Sequence, residues 1–123
     1  MPVSQQSFDT ELPVIDVPSL SQNLGGDSTL LAELVAIFRN ELPKDLMTIQ
    51  SALADRNSAA LECIAHRLKG SLRVLGASCS ALAARVEIDA RNGDVDPPRV
   101  RDFMSALAAV VPALDSIIRQ GRI

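Results

Sequence analysis

His66 is the only histidine among 123 residues, and its surroundings read Ala65-His66-Arg67-Leu68-Lys69-Gly70-Ser71. On a helix, Gly70 at i+4 lies beside His66 on one face, and Lys69 at i+3 brings a positive charge to the same ring. Glycine in a helix interior costs about 0.5–1 kcal/mol relative to alanine, so its presence needs a reason. Unobstructed approach of another molecule to the imidazole is such a reason. Neutral imidazole is a good nucleophile near neutral pH, because its reference pKa of about 6.5 leaves a lone pair free. A phosphoryl group arriving on the ring is anionic, and Lys69 can stabilise it by charge-assisted contact. The stretch fits a histidine that accepts a phosphoryl group from a partner.

Competing chemistries find less support. Cys63 at i−3 permits a Cys-His pair, but two neighbours on one helix bring no oxyanion donors and no evident cleft. A metal site would have to be built from Cys63, His66 and Cys79, which show no ligand spacing. No glycine-rich phosphate loop is present, which argues against a free-standing kinase. The two cysteines read as reduced, core or half-buried thiols of a cytosolic protein.

The elements that must position His66 are helices. The chain is 47% hydrophobic with no Trp, no Tyr and three Phe, so its core is aliphatic and of one domain's size. Residues 1–12 are polar and aperiodic, a flexible leader or linker, and residues 13–123 form the folded unit. A short helix is expected over about Pro18–Leu24, ended by Gly25-Gly26. Asp27 or Ser28 then caps a long helix. Its stripe of Leu31, Val35, Phe38, Leu42, Leu46, Ile49 and Leu53 repeats about every 3.67 residues and keeps phase through Pro43, which predicts one kinked helix.

Asn57 or Ser58 opens the central helix, Ala59–Leu75. Leu61, Ala65, Leu68, Leu72 and Leu75 face its core, and Glu62, His66, Lys69, Gly70 and Arg73 face solvent. Gly76 stops it. Ser78 is expected to cap a fourth helix with Leu82, Val86 and Ala90 inside, and Asp96-Pro97-Pro98 to open the last. That one carries Val100, Phe103, Leu107, Val110, Leu114 and Ile117, with a kink at Pro112. Short connections and the absence of strand-like alternation predict an all-α, up-down antiparallel four-helix bundle with a short extra N-terminal helix.

Net charge is −3 and pI about 5.0, which argues against a nucleic-acid partner. Between Arg56 and Arg85, however, lie five basic residues (Arg56, Arg67, Lys69, Arg73, Arg85) and one acidic residue, Glu62. Such a patch suits a locally acidic protein partner, or is an ordinary solvated helix face. No apolar run reaches the ~18 residues of a membrane span, and no signal peptide is evident.

Residues 65–77, AHRLKGSLRVLGA, resemble the signature of histidine-containing phosphotransfer (HPt) domains of bacterial multistep phosphorelays, roughly A-H-x-L-K-G-(S/A)-(S/A)-x-x-x-G-A. Ala65, His66, Leu68, Lys69, Gly70, Ser71, Gly76 and Ala77 match. A weaker likeness covers Leu82 through Gly93-Asp94, where V-E-x-x-A-R-x-G-D is similar to the family's following helix. The stretch Gly25–Pro43 resembles its long helix. Leu72 departs from the small residue usual there and belongs to the core stripe. The run is unlike the K-G-G-(A/S) of the chemotaxis-kinase variant.

The resemblance implies that His66 takes a phosphoryl group from a receiver-domain aspartyl phosphate and passes it to another receiver, as a phosphocarrier without turnover of its own. It implies Lys69 and Gly70 beside the reacting ring, and Glu62, Arg67, Ser71 and Arg73 as partner-binding residues. The partners are receiver domains of response regulators or of a hybrid kinase, with no membrane contact and a monomeric state. No cofactor belongs to the domain, and Mg²⁺ is expected on the receiver. The polar leader before Pro13-Val14-Ile15-Asp16 resembles a linker. The reading is a cytoplasmic module, either the C-terminal part of a hybrid sensor kinase in the inner membrane or free-standing. The alternative is a module that binds a receiver or enzyme without being phosphorylated.

Overall fold

In a computed structural model, residues 13–123 are described, so the expected leader over 1–12 lies outside the described residues. Five helices follow one another among the described residues: α1 Val17–Leu24, α2 Ser28–Ala54, α3 Ser58–Val74, α4 Ser80–Arg91 and α5 Pro97–Gln120. No strand occurs among the described residues, only an isolated antiparallel bridge between Ile15 and Ala77. α2 packs on α3 and α5, and α4 packs on the same two, which closes a ring of four long helices with α1 laid against α3.

Side chains mark most of the helix starts. Asp16, Asp27, Asn57 and Asp96 each accept a backbone N–H three residues on, satisfying donors the first turn leaves open. α4 is the exception and overturns the expectation for Ser78. Its N-cap is Cys79, with no side-chain cap. The Ser78 hydroxyl donates instead to the Pro13 carbonyl at 2.7 Å, and Ser78 N–H to Val14 O at 2.9 Å.

This strap fastens the segment before α1 to the end of α3. Asp16 N–H donates to Gly76 O at 2.8 Å, and Gly76 has φ +70°. A Cβ there would sit 2.7 Å from Asp16 O, so only glycine permits this approach.

α2 and α5 run unbroken through Pro43 and Pro112, both on exposed faces. The core is aliphatic, as expected, with Phe103, Leu107, Val110 and Leu114 of α5 fully buried against Leu31, Val35 and Ile49 of α2 and Leu61, Leu68 and Leu72 of α3. The expected stripe on α2 holds less well in its second half: Leu42, Leu46 and Leu53 are only half-buried, while Asp45 and Ala52 are buried.

Of the two free cysteines, Cys63 is exposed, against expectation, while Cys79 is buried as expected, and that burial pushes its thiol up to about 11.

Candidate functional site

α3 turns its apolar side, Leu61, Ile64, Ala65, Leu68 and Leu72, into the core. Helical spacing then leaves His66 outward, its side chain 68% exposed. Gly70, one turn on, has open space where a Cβ would be. Nothing packed against α3 requires that glycine.

His66 is held by a residue that periodicity alone did not single out. Its Nδ1 lies 2.7 Å from Oε2 of Glu87 on α4. Glu87 is 3% exposed, on the inner face of α4 with Ala83, Val86 and Ala90. Its carboxylate also meets Lys69 Nζ at 2.7 Å on Oε1 and Arg91 Nη2 at 2.8 Å on Oε2. The Lys69 hydrogen bond, then that of His66, holds the Glu87 carboxyl below its usual range, against the opposing effect of burial.

The ionised carboxylate can only accept, so the proton shared with it belongs on Nδ1 of His66. The lone pair is thereby assigned to Nε2, on the other side of the ring.

The other expected residues separate into two flanks. On the α4 side, Glu62 accepts from Arg91 Nε at 3.1 Å, so Arg91 bridges Glu62 and Glu87. Lys69 is only 19% exposed and is committed to Glu87, which corrects the picture of a free charge beside the ring. On the α2 side, Arg67 pairs with Asp45, and Ser71 lines the same groove between α2 and α3. Arg73 lies exposed further along, at a concavity with Asp16, Ser19 and Gly76. Arg56 sits in the turn between α2 and α3 and reaches Val95 O at 3.4 Å. The basic patch is therefore not one surface of free charge.

Sequence reasoning missed Glu87, Arg91 and Asp45 as site residues. A signal existed for the first two: a carboxylate in the inner pattern of α4 with arginine at i+4. Among the described residues, no group of three or more His, Cys, Asp or Glu is arranged to hold a metal ion. None of the helices among the described residues is long and apolar enough to cross a membrane.

A model of the Hpt domain family matches residues 33–117. Among solved structures, the HPT domain from the Hpt sensor hybrid histidine kinase from Shewanella is similar, with a TM-score of 0.76 and 19% identity. That alignment covers 87% of this chain and 95% of the other. No curated protein matches.

Proposed function

The chain belongs to the Hpt domain family, and on that basis we propose that His66 is its phosphoryl-carrying residue. The observation that carries the proposal is the pairing of Nδ1 with the buried, ionised Glu87, which leaves Nε2 of an exposed ring as nucleophile. Nε2 attacks the phosphorus of an aspartyl phosphate on a receiver domain. The N–P bond forms as the P–O bond to the aspartate breaks, and that electron pair leaves with the receiver's carboxylate. Both ring nitrogens are then substituted, so the ring gains positive charge while Nδ1–H still faces Glu87.

Glu87 opposes that charge directly, which stabilises the phosphorylated ring. Lys69 uses one N–H on Glu87 and has two further donors for phosphoryl oxygens. Attack by a second receiver's aspartate reverses the step. The receiver supplies its own Mg²⁺, and this chain supplies the nucleophile and its orientation.

Docking in this reading covers the exposed stripe of His66, Gly70 and Arg73, bordered by Glu62, Arg67 and Ser71. The ring of neighbouring long helices and their short connections support an up-down antiparallel bundle carrying that stripe. We place the domain on the cytoplasmic side as a monomer and as a module of a hybrid sensor kinase. The likeness to a domain of such a kinase supports the hybrid-kinase context.

The test is incubation with receiver domains charged by acetyl phosphate. Acid-labile label should appear on the wild-type chain and not on His66→Gln. A labelled His66→Gln protein overturns the assignment, and a wild type that binds charged receivers but never takes label is an interaction module instead.

A further inference from the structure

Two charged side chains are buried among the described residues, and the phosphotransfer chemistry uses only Glu87. The other, Asp45, is 5% exposed in the middle of α2, in phase with Phe38, Leu42 and Ile49 of the apolar stripe. A carboxylate in such a position is costly unless partnered. Its partner is Arg67, the residue directly after His66, whose Nη2 donates to Asp45 Oδ1.

Arg67 itself is 53% exposed. Its anchor is buried, while about half of its own side chain is not. Both residues line the groove between α2 and α3, whose apolar wall is Leu34, Ile37, Phe38 and Val74.

We propose that Asp45 is a positioning residue for partner recognition. It holds the Arg67 guanidinium at the mouth of this groove, aimed at a carboxylate on the receiver face that presents the phosphorylated aspartate. This rests on the phosphotransfer reading above.

Three features of the pair support the proposal. A tie between α2 and α3 alone would be served equally well by an apolar pair, which often matches or exceeds a buried ion pair in stability. An arginine loses much side-chain freedom when it docks, and anchoring one N–H in advance removes part of that loss while leaving other donors for a planar carboxylate. Arg67 follows His66 on α3, about 100° round the helix, so an interface that covers the ring and extends toward α2 takes in its guanidinium, whose charge complements an acidic partner surface.

The experiment measures phosphoryl transfer from a charged receiver domain as a function of receiver concentration. The proteins are wild type, Asp45→Asn, Arg67→Gln and the double variant, with melting curves for each. Asp45→Asn should raise KM about fivefold and change kcat less than twofold, as expected for a contact at the rim of an interface. Arg67→Gln should do the same or more, and adding Asp45→Asn to it should change nothing further.

If Asp45→Asn unfolds the chain, Asp45→Leu breaks the pair without leaving a buried polar group and carries the same expectation. An unchanged KM overturns the proposal. So does a lower KM, which a bare gain of positive charge would produce, or effects that add in the double variant. A wild-type chain that accepts phosphate from no charged receiver removes the phosphotransfer reading and this proposal together. A wild type that transfers with a KM indifferent to Asp45 removes the proposal alone.

Discussion

His66 sits between two flanks of α3, each built on a buried carboxylate from a neighbouring helix. On the α4 flank Glu87 reaches the ring itself and shares its oxygens with Lys69 and Arg91. On the α2 flank Asp45 meets the neighbouring arginine, in the groove between α2 and α3. On the proposed carrier role of His66, the difference in reach separates the work of chemically similar groups: Glu87, touching the ring, would act on the energy of the chemical step, and Asp45, fixing an exposed arginine, on what the surface can bind.

Substituting Glu87 should therefore break the comparison most sharply. Glu87→Ala leaves Nδ1 without an acceptor and the phosphorylated ring without a counter-charge. Transfer at saturating receiver should fall about 100-fold, in the range for removal of a positioned electrostatic partner. Stability should fall by roughly 1–3 kcal/mol, because Lys69 loses a buried partner while His66 and Arg91 can turn to water. Glu87→Gln keeps an acceptor without the charge and should lie between. Rapid-quench transfer kinetics and urea denaturation separate the two readouts. If Glu87→Ala shifts KM alone, the two flanks do the same job and the contrast is lost.

Much of this was legible in the spacing of residues, and the missing part has a common cause. The apolar stripes of α3 and α5 match the buried residues, because a leucine or valine every three or four positions defines a face whatever packs on it. The exposed His66, the open space at Gly70 and the stop at Gly76 follow from the same geometry.

Asp45 and Glu87 escaped because a stripe read from apolar residues passes over a carboxylate lying within it. Each becomes intelligible only when α3 supplies Arg67 or the His66–Lys69 pair from across a helix interface. One helix's pattern does not contain its rotation against another. Ser78 failed as a cap for a related reason: the segment at Pro13 and Val14, far off in sequence, takes its hydroxyl.

Gly70 sharpens the contrast between what the chain needs and what a partner needs. A Cβ there meets nothing within the chain. Gly70→Ala should therefore stabilise the isolated domain by about 0.5–1 kcal/mol, the ordinary helix gain, and raise its Tm by about 2–5 °C. The added methyl lies beside His66 and should slow transfer from a receiver about tenfold by holding the reacting atoms apart. The two changes have opposite signs. A variant that gained stability and transferred as fast as wild type would show that the approach to His66 does not run over Gly70.

The smallest effect tests the ionisation that assigns Nε2 as nucleophile. Glu87 is held below the usual carboxylate range chiefly by Lys69. A carboxyl whose pKa is lower folded than unfolded stabilises the fold fully above its unfolded value, about 4.3, and that contribution is lost as pH falls through the folded value. The half-buried Asp115, lowered likewise by Arg39, weakens with acid in every variant and cancels in a difference. The stability advantage of wild type over Glu87→Gln, read from urea midpoints, should therefore shrink as pH drops below about 4. An advantage that instead grows as pH falls from about 7 to about 4 would mean that the fold holds Glu87 protonated. The carboxyl would then be free to donate to Nδ1, and the lone pair assigned to Nε2 would lose its physical basis.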